Sequence, residues 1–497
     1  MILLALIAVP FLAGLLLLVA RPNAQARSIA MVASLTCTVI VLAQCWNFGG
    51  AELTFIDRDW VPDWGLRLKM GYDGIGLLML MLTAVIFPFI IGAGAKEEQD
   101  RPALANALLL FTQSFLFGVF TAQNALLFYI HYELSLIPLF LYLLYWGTPS
   151  LEGSSGRGGA DRRTITMRFF IYTLFGGLAL LFGIAYCVVQ EPSHSADFSA
   201  LQALRLPIDV QVWLFWALFL AFAVKLPIFP FHSWQPDTYT MAPMQGTMVL
   251  GGVLLKMGLF GVLRFVFPIV PQGTDHWRDL VVWLSIIGAI YAGWIAFRQT
   301  DFKRLVAYSS LSHVGIMTAA LFTWTTYGIT GSLYQAFAHA VLVVCMLYIV
   351  GAVERRMGTR DLSVMAGLKL KSPRLAALFF LVMVNGIALP LTQSFVGEWL
   401  MFNGLWQMEG GAWMTAVAVC TIILGAVYML YAYQRVMLGP ETRVAPGTSL
   451  NEVAEADAND HLFLVPLIAI TLVFGSYPAP VLDLVQSSVQ TLLSTLN

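Results

Sequence analysis

Residues 211–267 read QVWLFWALFLAFAVKLPIFPFHSWQPDTYTMAPMQGTMVLGGVLLKMGLFGVLRFVF. Two apolar runs, 211–229 and 243–267, are each close to the roughly 20 residues that a helix needs to cross a bilayer. Each carries one lysine, Lys225 or Lys256. A charge at the bilayer centre costs about 2.5–3.5 kcal/mol on insertion scales and faces a bundle interior or water. Lys256 has apolar-dominated sequence on both sides, so its stem is too short to snorkel to the headgroups. Pro227 and Pro230 remove backbone donors and clash with the preceding turn, so the seventh apolar run must break. Backbone left unpaired by such a break is tolerated in a membrane only where protein or water covers it. This stretch therefore reads as two spans of a helical membrane protein, one broken and both lysines turned inward.

The rest of the chain extends that reading. Of its 497 residues, 59% are hydrophobic and 11% charged, and the mean hydropathy is +0.78. Soluble domains are about 45–50% apolar and about 25% charged, so a soluble globular fold is excluded. A net charge of −1 leaves no basic surface for nucleic acid. Apolar runs fall at 2–20, 28–48, 74–94, 104–122, 124–146, 166–189, 211–229, 243–267, 279–297, 305–323, 328–352, 375–400, 413–437 and 462–482, giving about 14 transmembrane helices. The fourth and fifth are separated only by Thr121, Gln123 and Asn124, and Pro478 and Pro480 end the last before a short amphipathic tail. No A-x-A-like cleavage site follows the first run, which is expected to stay as a span.

Basic residues test the count. Nineteen of the 27 fall in loops after odd-numbered spans and six in loops after even ones, the last two being Lys225 and Lys256. By the positive-inside rule the odd loops face the cytoplasm, and both termini face the non-cytoplasmic side of the cell (inner) membrane. Residues 148–165 are rich in Gly, Ser and charge and read as a flexible surface loop. Residues 49–72, with Trp60 and Trp64 among charges, read equally as a short hairpin or an interfacial aromatic anchor. Cys37, Cys45, Cys187, Cys345 and Cys420 lie in apolar runs without ligand spacing, so no metal site, haem or iron–sulfur cluster is indicated.

Two acids complement the two lysines: Glu133 in FYIHYELSLIPLF (128–140) and Glu398 in SFVGEW (394–399). His313 and His339 occupy the tenth and eleventh spans among Tyr308, Ser309, Ser310, Ser312 and Tyr334. Imidazole exchanges a proton near neutral pH, and hydroxyls hold water, which suits a relay. His131, two residues from Glu133, points to another helix face. A second break is marked by Gly386, Pro390, Thr392, Gln393 and Ser394. Breaks five spans apart suggest two five-helix repeats, spans 4–8 and 9–13. An odd repeat inverts its copy, as in many transporters. The expected organisation is one membrane domain: spans 1–3 in 1–103, repeats in 104–267 and 279–437, and a final span and tail in 438–497. Structural ion pairing is the competing explanation of the buried charges.

These motifs, with FAVKLPIFPFHSWQPDTYTMAP (222–243), GTMVLGGVLLKMGLFGVLRF (246–265) and TDFKRLVAYSSLSHVGIM (300–317), resemble the antiporter-like membrane subunits of respiratory complex I, NADH:quinone oxidoreductase. Glu398 and the terminal YPAPVLD (477–483) resemble the subunit M (chain 4) branch. The resemblance covers essentially the whole chain. It implies a proton-translocating subunit in which Glu133 and Lys225 form a switching pair and Lys256 the central relay, while His313 and His339 lead to Glu398 as terminal donor. It also implies no redox cofactor in this chain. NADH, FMN, iron–sulfur clusters and quinone would belong to partner subunits, which include sibling antiporter-like chains and peripheral subunits. Two places depart from the family pattern. Gln235 and Tyr239 stand where leucine and histidine are common, and Pro390-Leu391 replaces a Pro-Gly. The D-type membrane component of a multisubunit sodium/proton antiporter, or a hydrogenase membrane subunit, is the alternative from the same superfamily. A stand-alone solute transporter is disfavoured because no pocket for a larger solute is readable.

Overall fold

The computed structural model describes residues 2–96, 100–149, 161–445 and 453–496. Most of the expected 148–165 loop lies outside them. Twelve helices among the described residues are long and apolar enough to cross a membrane, from Ile2–Ala20 to Ala458–Ser476. The other two expected spans are also helical but weaker by that measure. Phe302–Leu321 has the length, with its hydroxyls and His313 lowering its apolarity. The twelfth span is split into Pro373–Gly386 and Gln393–Gln407. The architecture is thus all-α and polytopic.

The narrow boundary between the fourth and fifth spans is a true one. Pro102–Thr121 ends, and Ala125–Leu134 begins with Asn124 as its cap, the side chain accepting from Leu127 N at 3.2 Å. The 49–72 segment is a hairpin, Leu53–Val61 paired antiparallel with Leu66–Tyr72, and Trp60 and Trp64 are exposed on it. Asp197 ties this hairpin down, facing Arg67 Nη1 at 3.1 Å and Lys69 Nζ at 3.0 Å, with Asn124 Nδ2 donating at 3.0 Å. After the last span the expected short amphipathic tail is an 18-residue helix, Ala479–Leu496, with Val481, Val485 and Val489 buried along one side.

Both breaks are present. Ile208–Lys225 ends where Pro227 and Pro230 follow, and helix resumes at Gln235–Met241. The second break spans residues 387–392, where Ala388 (φ 52°) and Leu391 (φ 75°) adopt left-handed backbone. Leu391 therefore takes the conformation that glycine would take freely, at a cost of about 1–2 kcal/mol.

The chain divides into two compact units. The first is Met1–Pro227, Met241–Val281 and Asp483–Asn497; the second is Ile228–Thr240 and Val282–Leu482. In the first, Met244–Ile269 and Gly74–Lys96 are buried nearly all round. In the second, Thr326–Met357 is buried throughout its apolar window. A helix apolar on every side is held at the centre of a bundle, and these are the helices that carry Lys256 and His339.

Candidate functional site

In the first unit, Glu133 sits at the end of Ala125–Leu134, before a kink at Ser135 and the restart at Leu136–Trp146. Pro138 lacks the N–H that would bond the Leu134 carbonyl, so the helix yields there. The carboxylate occupies a notch made by Gly177: a Cβ built on that glycine would lie 1.8 Å from Glu133 Oε1. Its neighbour Gly176 admits Ala221, whose Cα would be 3.0 Å from a Cβ. The two glycines of Arg162–Gln190 thus bring Glu133 and the last turns of Ile208–Lys225 to one helix.

Lys225, the final residue of that helix, is 1% exposed. Its ammonium lies 4.8 Å from the centroid of the Tyr132 ring and has no hydrogen-bond partner. A desolvated cation over an aromatic face gains about 2 kcal/mol. The Tyr132 hydroxyl is anchored to the Ala221 carbonyl at 3.2 Å. Glu133 acts on Lys225 electrostatically, yet among the described residues no ion pair closes between them. The pair is adjacent and open.

Lys256 is equally buried, and a π-turn serves it. At Leu250–Leu254 the Leu255 N–H donates back to Leu250, one residue further than in an α-helix. The Gly251 carbonyl accepts from Lys256 Nζ at 2.8 Å. A second π-turn, Val262–Val266, follows. Such turns cluster at functional sites. His131 turns away: Nδ1 meets the Leu127 carbonyl at 2.9 Å and the ring packs against Gly118.

The second unit gathers the remaining three candidates. His313 Nδ1 lies 3.5 Å from Glu398 Oε1, and the His313 and His339 rings are 5.9 Å apart. A small cavity lined by Ser312, His313, Glu398, Met401 and Tyr428 has a volume of about 10 Å³, close to the space one water needs. Ser309 Oγ donates to Tyr428 Oη at 3.1 Å. Ser312 and Tyr334 are directed to backbone carbonyls, of Ala289 and Phe474.

Several residues here were not among the site candidates read from sequence, although Gln393 and Ser394 were noted as markers of the second break. Tyr132 and Gly177 shape the lysine–glutamate pair. Gln335, Gln393 and Ser394 are fully buried, and both amide atoms of each glutamine and the serine Oγ lack hydrogen-bond partners. Each such atom costs about 1–3 kcal/mol if left unsatisfied. Clustered titratable groups in a buried interior, Lys225 among them without a hydrogen-bond partner, mark a candidate functional site.

Residues 122–425 match the family described as NADH:quinone oxidoreductase/Mrp antiporter, TM. The chain is 32% identical to NADH-quinone oxidoreductase subunit M of Rickettsia bellii, over 94% of this chain and 91% of that one. It is 31% identical to the subunit of the same name from Escherichia coli K12, over 93% and 91%. A chain of respiratory complex I from Thermus thermophilus superimposes over the full length of both, with a TM-score of 0.87 and 27% identity.

Proposed function

Because the chain belongs to the NADH:quinone oxidoreductase/Mrp antiporter membrane family, on its subunit M branch, we propose that it moves protons across the membrane within a respiratory complex I. The observation that carries the reading is the Lys225 ammonium, buried without a hydrogen-bond partner beside a carboxylate that is near but not paired with it. Burial favours the uncharged form of either group, and pairing favours the charged form. Closing or opening the Glu133–Lys225 gap would therefore change how tightly Lys225 holds its proton. Lys256, with a backbone carbonyl to receive its charge, is the next acceptor, and His313 and His339 lead to Glu398.

Partner subunits would bind NADH, FMN, the iron–sulfur clusters and quinone, and would supply the driving energy. The loop bias of basic residues supports placing both termini on the non-cytoplasmic side. The test is proton pumping by reconstituted complex carrying Lys225→Ala or Glu133→Ala. The expected result is loss of pumping with the chain still inserted; normal pumping by either variant would refute the assignment. Pumping of sodium in place of protons would instead favour the sodium/proton antiporter reading.

A further inference from the structure

We infer that Gln335, Gln393 and Ser394 form a water-binding site that positions the link between His339 and Glu398; this rests on the proton-transfer reading above. Thr326–Met357 and Gln393–Gln407 approach closely through glycines. A Cβ on Gly404 would lie 2.4 Å from Gly328 Cα, one on Gly331 would lie 2.7 Å from Met401 N, and one on Gly397 would lie 2.2 Å from Gln335 Oε1. These contacts define an antiparallel register, and its next step sets His339 across from Gln393. Gln335 lies one turn from His339 on the same helix, and Glu398 follows Gly397 directly.

The three polar side chains enclosed by this register are fully buried, and none of their five polar atoms has a partner. The Ser394 N–H is taken by Asn385 Oδ1 at 3.2 Å, which leaves its hydroxyl for the interior. What completes the cluster follows from its atoms. A cation would satisfy only the amide oxygens, and an anion only the amide nitrogens. Water both donates and accepts, and so serves each head group entirely. The break contributes further donors, because the first-turn N–H groups of Gln393–Gln407 have no intrahelical acceptor. Neutral amides exchange no protons in this range of conditions; their part is to hold and orient the water, which makes them positioning residues.

The experiment uses the assembled complex and two readouts: hydroxyl-radical labelling of Met401, which lines the cavity beside Glu398, and proton pumping. Gln393→Leu fills the space with hydrocarbon, whereas Gln393→Ala leaves room for water. A packing role predicts that alanine is the worse substitution, since it opens a cavity. Water binding predicts the reverse: about tenfold loss of Met401 labelling and of pumping for Gln393→Leu and for Gln335→Leu, with both retained in Gln393→Ala. The inference is overturned if Met401 in the unaltered complex is not labelled, if alanine is worse than leucine, or if labelling depends on added sodium. Loss of pumping in Lys225→Ala with unchanged behaviour of the leucine variants would sink this inference alone. Normal pumping in Lys225→Ala with Met401 labelling lost in Gln393→Leu would sink the functional reading and leave the water site standing.

Discussion

Lys225 owes its state to three neighbours, each reached by different means: the Tyr132 ring beneath it, Glu133 beside it and, through Glu133, the glycine notch at 177. Gly177 gives the sharpest test of that arrangement. Gly177→Ala places a methyl group 1.8 Å from the present position of Glu133 Oε1, so the carboxylate must swing away. Proton pumping should fall by about tenfold, with normal amounts of assembled complex on native gels. Unchanged pumping would mean that the position of Glu133 does not matter. The ionisable candidates were legible in the sequence because a charge inside an apolar run has few explanations. Gly177 and Gln335 were not, and Gln393 was legible only as a marker of the second break. A glycine's partner is set by packing, and a neutral glutamine in a helix carries no signal until its head group is seen buried and unpaired.

Helices, breaks and turns were legible to different degrees for equally physical reasons. Runs of about 20 apolar residues announce themselves, and proline announces a break. The π-turns flanking Lys256 do not, since they follow from how the helix packs and leave no composition cue. The hairpin at 53–72 was one of two readings, because exposed tryptophans suit both a strand pair and a membrane anchor. The last span shows how a buried charge pair fixes an element. Asp460, fully buried, accepts from Arg356 Nη2 at 2.6 Å and Tyr348 Oη at 2.9 Å, and shares a capping box with Asp457. Arg356 also donates to the carbonyls of Ala454 and Glu455. Asp460→Ala strands the guanidinium and should cost about 3–5 kcal/mol, read as faster proteolysis at 453–460 and a lower unfolding midpoint in detergent. An unaltered midpoint would show that the pair is dispensable.

Across the chain, the six candidate proton carriers divide between the two compact units. Glu133, Lys225 and Lys256 belong to the first, and His313, His339 and Glu398 to the second. Each break stands beside a candidate: Lys225 lies just before the first, where the chain passes from the first unit to the second, and Glu398 just after the second, inside the second unit. Fold class and this pairing of charge with break could be read from sequence. The division at Pro227 could not, because it depends on which distant segments pack together. Protons that cross the membrane through this chain would use both groups of residues, so the second group offers the most direct trial. The measurement is the number of protons translocated per NADH oxidised, in proteoliposomes containing the complex with Glu398→Gln. Proton transfer through Glu398 gives the wild-type complex a higher ratio than the variant, at equal assembly and with an uncoupler abolishing the signal in both. An unchanged ratio would contradict it.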